Sequence, residues 1–378
     1  MGSMASALLA GNEASPSLAE AALRRALEKC GESRVNGVLL FLTAEFARHA
    51  QPALNAVARA ACCTEVAGGM AAGVFTEDGW VLDRPAAAVL VFSGNFSLAH
   101  CSPDGAGSAA ILSYFGGAFP GHWNAAGRWR FGGSFAGQPG QVEEVAWQHG
   151  RLVRQCSVQM CGARVDIGVS SGWRLLGGAF QVAGDGAYEL RTVAGASALD
   201  HLRRHLPSQN ASDARLPLAS LCAVLADDPG WLGTDGAPER GFAVGRCEPV
   251  AIVAANADGS LTLARRIPPG KYLAWAMRTP QSSAADMRRS VAGLAAAAPG
   301  PAAAIVFSCI GRGPYHYGDE DRDIACLRER FPTLPLIGSY GTGQIAPAAA
   351  GATRLMHNTV VTALISHPSR SADVQPDS

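Results

Sequence analysis

Val38-Leu39-Leu40-Phe41-Leu42 and Ala303-Ala304-Ile305-Val306-Phe307 are the stretches whose reading decides the fold. Each is a short, unbroken apolar run, which predicts a strand buried on both faces. What surrounds them is alike. Ahead of the first run, Ala19, Leu23, Leu27 and Cys30 share one helical face while Arg24, Arg25, Glu28 and Lys29 lie off it, and Gly31 can cap the end. After it, a helix with Pro52 in its first turn carries Leu54, Val57, Ala58 and Ala61 inward. A Gly-rich strand over 66–75 and an apolar strand over 87–92 follow.

The order returns around the second run. Ala284, Met287, Val291 and Leu294 align on a helix before it, and Ile324, Leu327 and Phe331 align on one after it. A Gly-rich strand over 335–345 and an apolar strand over 359–365 complete the copy. Gly73 precedes Val91, and Gly343 precedes Val361, by the same 18 residues. These matches predict an α/β (mixed α+β) fold of two diverged α-β-α-β-β units with mixed sheets, their Gly-rich strands side by side. Between the copies, 131–135, 142–147, 151–160 and 165–169 read as short strands of a β-rich middle segment, and 196–206 as a helix ended by Pro207.

The chain has 378 residues, which favours two domains. Polar residues 208–215 mark the expected boundary, giving 17–210 and 211–366. Residues 1–16 read as a tag or disordered start, since Met1-Gly2-Ser3-Met4 resembles an expression tag, and 367–378 as a disordered tail. Lys plus Arg, 31, balances Asp plus Glu, 31, so no global field draws nucleic acid or an anionic membrane. No signal peptide and no apolar span of membrane length stand out, which makes the cytoplasm the expectation. Ten cysteines show no C-x-x-C pair, so structural zinc is not expected; no cofactor is expected.

Three motifs bear on chemistry. Gly168-Val169-Ser170-Ser171-Gly172 matches the pattern of a nucleophile elbow, but Trp173-Arg174-Leu175-Leu176-Gly177-Gly178 leads into a strand where that elbow needs a helix. Gly338-Ser339-Tyr340-Gly341-Thr342-Gly343 likewise runs on as strand, where a dinucleotide loop needs a helix N-terminus. Phe307-Ser308-Cys309-Ile310-Gly311-Arg312-Gly313 ends a buried strand in a Gly-flanked arginine. Ligands of α/β sheets gather at such strand ends, and a guanidinium there can fork onto a carboxylate or phosphate. Equally, Arg312 can pair internally with Asp319 or Glu320.

That last segment, with 335–347 and Leu355-Met356-His357-Asn358-Thr359, closely resembles the C-terminal half of the FIST family, named for F-box and intracellular signal transduction proteins. Phe131-Gly132-Gly133-Ser134, 171–177 and Phe180-Gln181-Val182 resemble its N-terminal half. The resemblance implies a sensory domain, not an enzyme, that binds a small ligand such as an amino acid and feeds signalling or ubiquitin-ligase machinery in larger members. No F-box and no output domain is expected in this chain, so a downstream signalling protein is the expected partner. Where the family commonly has Glu, this chain has Gln344, which keeps the length and loses the charge.

The expected ligand is a small carboxylate or amino acid in a pocket between the halves. Arg312 would grip its anionic group beside Ser308, Cys309, Gly311 and Gly313. Tyr340, Gly343, Gln344, Ser171 and Trp173 would shape the rest. The competing readings are a cysteine-dependent enzyme, using Cys309 with His316 or His357 as base, and an adaptor with a vestigial pocket.

Overall fold

The computed structural model describes residues 3–32, 34–101, 110–124, 128–136, 145–182, 187–207, 216–232, 241–242, 244–298, 300–348 and 352–368. The 208–215 boundary segment, part of the 142–147 strand and the tail from 369 onward lie outside them. The architecture is mixed α+β. The chain forms two compact units, one of residues 1–169 with 288–378 and one of 170–287.

The first unit holds the strands of both copies of the repeat. Val35–Thr43 runs parallel to Val66–Ala71 and antiparallel to Ala86–Ser93 in a first sheet. Ala303–Cys309 runs parallel to Leu336–Gly341 and antiparallel to Val360–Ser366 in a second. The helices Pro16–Cys30 and Ala50–Ala61 cover one face of the first sheet through Leu23, Leu54, Val57, Leu40 and Val89. Leu39, Phe41 and Leu90 face the other way, into a core shared with Ile305, Phe307 and Val361. Both faces are dry, which is why these strands read as continuous apolar runs. Ser15 caps the first helix by accepting from Leu18 N, and Gly31 closes it in the left-handed region.

Residues 4–10, placed outside the fold by sequence, are a strand. Met4–Ala10 lies antiparallel along Ala86–Ser93, and burial of Ala5 and Ala7 against the first helix holds it there. Glu77 fastens it further, accepting from Ser6 Oγ, from Lys29 Nζ and from Leu336 N.

The Gly-rich stretches 66–75 and 335–345 are each two strands, not one. The first breaks at Ala72, and Gly73–Thr76 leaves the first sheet to pair antiparallel with Leu336–Gly341 in the second. The second stretch breaks at Thr342, and Gly343–Pro347 joins a third sheet beside Arg130–Ser134. Ala72 N donates to Tyr340 O, and Thr342 N to Ser134 O, so each break is hydrogen-bonded to the strand it meets. A side chain after either break would collide: a Cβ on Gly73 would lie 2.6 Å from Val81 O, and one on Gly343 2.7 Å from Leu355 Cδ1. The matched glycines of the two copies therefore mark equivalent crossings between sheets.

The third sheet runs Thr353–Met356, Gly343–Pro347, Arg130–Ser134, Ile111–Phe115, Gln155–Cys161 and Ser97–His100. The second unit is built on a sheet led by Trp173–Leu175, Tyr272–Arg278, Leu221–Ala226 and Glu248–Ala255. The helix Ala198–His205 contributes Leu202 to a core with Leu221, Leu225 and Trp275 of that sheet.

The crossing predicts opposite outcomes for two alanine substitutions. Gly73→Ala is expected to lose about 1–3 kcal/mol by overpacking. Gly293→Ala, inside the helix Pro280–Ala297 with nothing within 4 Å of the added carbon, is expected to gain about 0.5–1 kcal/mol. Denaturant unfolding of both variants measures the contrast.

Candidate functional site

The strand Ala303–Cys309 ends in a tight turn in which Arg312 N and Gly313 N both donate to Cys309 O. The short helix Pro314–Tyr317 follows, and Asp321 then caps the helix Arg322–Arg330, its Oδ1 accepting from Asp323 N and Ile324 N. This path folds the arginine back under its own turn. Arg312 is 0% exposed. Its Nε lies 3.0 Å from Asp323 Oδ2 and one Nη 3.2 Å from Oδ1, a forked ion pair. Tyr317 closes the group, receiving a bond from Arg312 Nε and donating to Asp323 Oδ1 at 2.8 Å.

The fork expected to hold a ligand is thus occupied by a carboxylate of the chain, and by Asp323, not Asp319 or Glu320. Burial disfavours a charged Arg312, but Asp323 and Tyr317 outweigh it and raise its pKa. Tyr340 joins the group from the neighbouring strand, donating to Asp321 Oδ2 at 2.5 Å. Its ring packs on Gly313, where a Cβ would stand 2.6 Å from Tyr340 Cε1, and on Phe75 at 4.7 Å between centroids. Burial first, then the charge of Asp323, push the Asp321 carboxyl up to about 6.

The other expected residues separate. Cys309 Sγ is 3.9 Å from Asn358 Oδ1. Ser308 is buried, and its hydroxyl reaches its neighbour's carbonyl at 3.5 Å. Gly311 abuts Asn358, where a Cβ would be 2.9 Å from Oδ1. His357 Nδ1 hydrogen-bonds Thr342 O. Ser171 and Trp173 belong to the second unit. There Ser170, the serine of the elbow-like motif, donates to Asp286, which also receives Gly172 N, and the strand Trp173–Leu175 follows where an elbow needs a helix. Trp173 lies opposite Arg278, whose guanidinium is 5.4 Å from its ring centroid.

Gln344 stands apart from all of these. On the strand Gly343–Pro347 it lies opposite Gly133 on one side and Met356 on the other. Ala346, two residues on, and Met356 both belong to the main core, so the Gln344 side chain points into it. It is 0% exposed, and neither its Oε1 nor its Nε2 has a hydrogen-bond partner among the described residues. Elsewhere in the first unit, a cleft of about 530 Å³ is lined by Arg34, Asn36, Cys62, Cys63, Glu65 and Ser97 and by none of the expected site residues.

The sequence reading misses Asp321 and Asp323. Their signal is present, an Asp placed to cap the helix and a second carboxylate in its first turn.

Residues 198–347 match the family model described as the FIST C domain, which supports the resemblance to the FIST family over that part of the chain. This is a signal-transduction and sensory domain family. Among curated relatives, an uncharacterized protein of Mycobacterium bovis, Mb0898c, is 33% identical over 92 residues, 24% of this chain and 24% of its own. An uncharacterized protein of Mycobacterium tuberculosis, MT0656, is 28% identical over an equal share. The chain therefore spans about a quarter of the length of these relatives. Among the described residues, no helix is long and apolar enough to cross a membrane.

Two measurements test the buried network. Arg312→Ala or Asp323→Ala alone is expected to cost about 3–5 kcal/mol, because each strands a buried charge, while Arg312→Met with Asp323→Leu together should cost less than either. The raised pKa of Asp321 means that the folded chain holds this proton more tightly than the unfolded chain, where an Asp titrates near ~3.9. Stability from this group is full below that value and declines as pH rises toward about 6. Melting temperatures between pH ~4 and ~7 should fall more for the wild type than for Asp321→Asn.

Proposed function

We propose that this chain is a cytoplasmic sensory module that binds a small polar molecule, an amino acid or small carboxylate, at the amide of Gln344 and passes the bound state to a downstream signalling protein. The observation that carries the reading is the fully buried, unpartnered amide. Leaving one buried donor or acceptor unsatisfied costs about 1–3 kcal/mol, and Gln344 leaves both its oxygen and its nitrogen so. An apolar residue of similar size would avoid that penalty, so the amide is best explained by an occupant that completes its hydrogen bonds. A carboxamide both donates and accepts. It therefore suits a molecule that offers an acceptor beside a donor, as a carboxylate next to an ammonium does.

The neutral amide also fits the charge pairing of the chain. Arg312 is held by Asp323, so that guanidinium does not serve to balance a charge at 344. A Glu at this fully buried position would carry the desolvation cost of an ion, and Gln carries only that of a dipole.

Thermal melting against the amino acids and a set of small carboxylates tests this. A ligand at ~100 times its dissociation constant stabilises by about 2.7 kcal/mol, a rise of a few degrees for a chain of this size. Gln344→Leu should abolish that rise while leaving the ligand-free melt equal or higher. A panel that shifts nothing, or shifts both proteins alike, rejects the assignment.

A further inference from the structure

Arg130 opens the strand Arg130–Ser134, lying opposite Ile111 on its parallel neighbour. Phe131, the next residue, enters the main core, so Arg130 projects from the other face of the third sheet. On that face Ser113 and Ser157 stand directly across from each other on adjacent strands. Both hydroxyls accept from the same Nη1 of Arg130, at 2.9 Å each. The turn Gly121–Asn124 lays Trp123 over the group, with the guanidinium carbon 4.9 Å from the ring centroid. Arg130 is 5% exposed and Trp123 2%.

No carboxylate among the described residues pairs with this cation. That sets it against Arg312, also buried and matched by Asp323. Burial disfavours the charged form of Arg130 and nearby Arg128 adds repulsion, with Cys101 acting in the other direction. Two neutral hydroxyls and an aromatic face orient a guanidinium without neutralising it, and a buried charge left without a counter-charge is strongly unfavourable. The serines hold one terminal nitrogen. The Nε and Nη2 edge, the one that grips planar oxyanions in a fork, has no partner among the described residues.

We infer that Arg130, fixed by Ser113, Ser157 and Trp123, is a binding site for a small oxyanion, a carboxylate or phosphate group received on the Nε and Nη2 edge. The site is independent of Gln344, whose side chain points to the opposite face of the same sheet. Among the described residues Arg130 has no carboxylate partner, the state that the sequence reading expects of Arg312.

The test uses the full chain with succinate and inorganic phosphate as probes, at ionic strength held constant with sodium chloride. Either probe should raise the melting temperature saturably, and the two arms show which oxyanion the site prefers. Arg130→Met keeps the bulk against Trp123 and removes the charge. It should erase the shift and melt no lower than the wild type without anion, whereas a purely structural arginine would leave the variant less stable. Arg130→Lys keeps the charge and loses the fork, and should weaken binding about tenfold or more. Gln344→Leu should leave the anion shift unchanged, which separates this site from the one proposed above. Equal shifts in wild type and Arg130→Met, or none with either probe, would overturn the inference.

Discussion

The strands of the second sheet are joined across the two copies by one pairing, that of Gly73–Thr76 with Leu336–Gly341, and much else in the first unit depends on it. The pairing sets Gly73 against Tyr340 and Gly338 against Phe75, so each copy's glycine meets the other copy's aromatic ring. A Cβ on Gly338 would lie 2.1 Å from Phe75 Cε2. The rings then pack on each other, and Tyr340 carries its hydroxyl to Asp321. The composition of the Gly-rich stretches thus follows from the need to bring two backbones and two aromatics into one layer.

The same seam explains why Arg312 is structural. Tyr340 reaches Asp321, and Asp321 caps the helix that presents Asp323 to the guanidinium. A turn bearing a charged residue is thereby locked to a strand end without any solvent contact at that residue. Two other polar side chains lie outside such mutual satisfaction. Among the described residues Gln344 has no partner, and Arg130 has hydroxyls and a ring but no carboxylate, on opposite faces of the third sheet.

The repeat is legible in the sequence because both central strands are buried on two faces, and such burial writes an apolar run into the chain. The helices are legible from their stripes and from Gly31. The breaks at Ala72 and Thr342 are not, since a residue that crosses between sheets leaves no change of period. Met4–Ala10 is masked by a start that resembles a tag and by alanines that read as neutral. At the site, the Gly-flanked arginine marks the turn after the buried strand but does not tell which carboxylate takes its guanidinium. Which carboxylate turns inward depends on the path from Pro314 to Asp321, and that path is tertiary. Arg130 gives no signal of its own, because alternation with Phe131 resembles any strand with one wet face.

Glu77 and Leu336 are 259 residues apart, yet they are hydrogen-bonded at the edge where the two copies meet. During translation the first copy emerges with the edge of Gly73–Thr76 bare, and its partner strand follows only after the whole intervening chain. Contacts that close so long a loop form slowly, and an unpaired edge is a template for pairing with other chains. A nascent chain of this protein must therefore keep its first half from premature association until Leu336–Gly341 has left the ribosome, and any truncation before Leu336 leaves that edge permanently open.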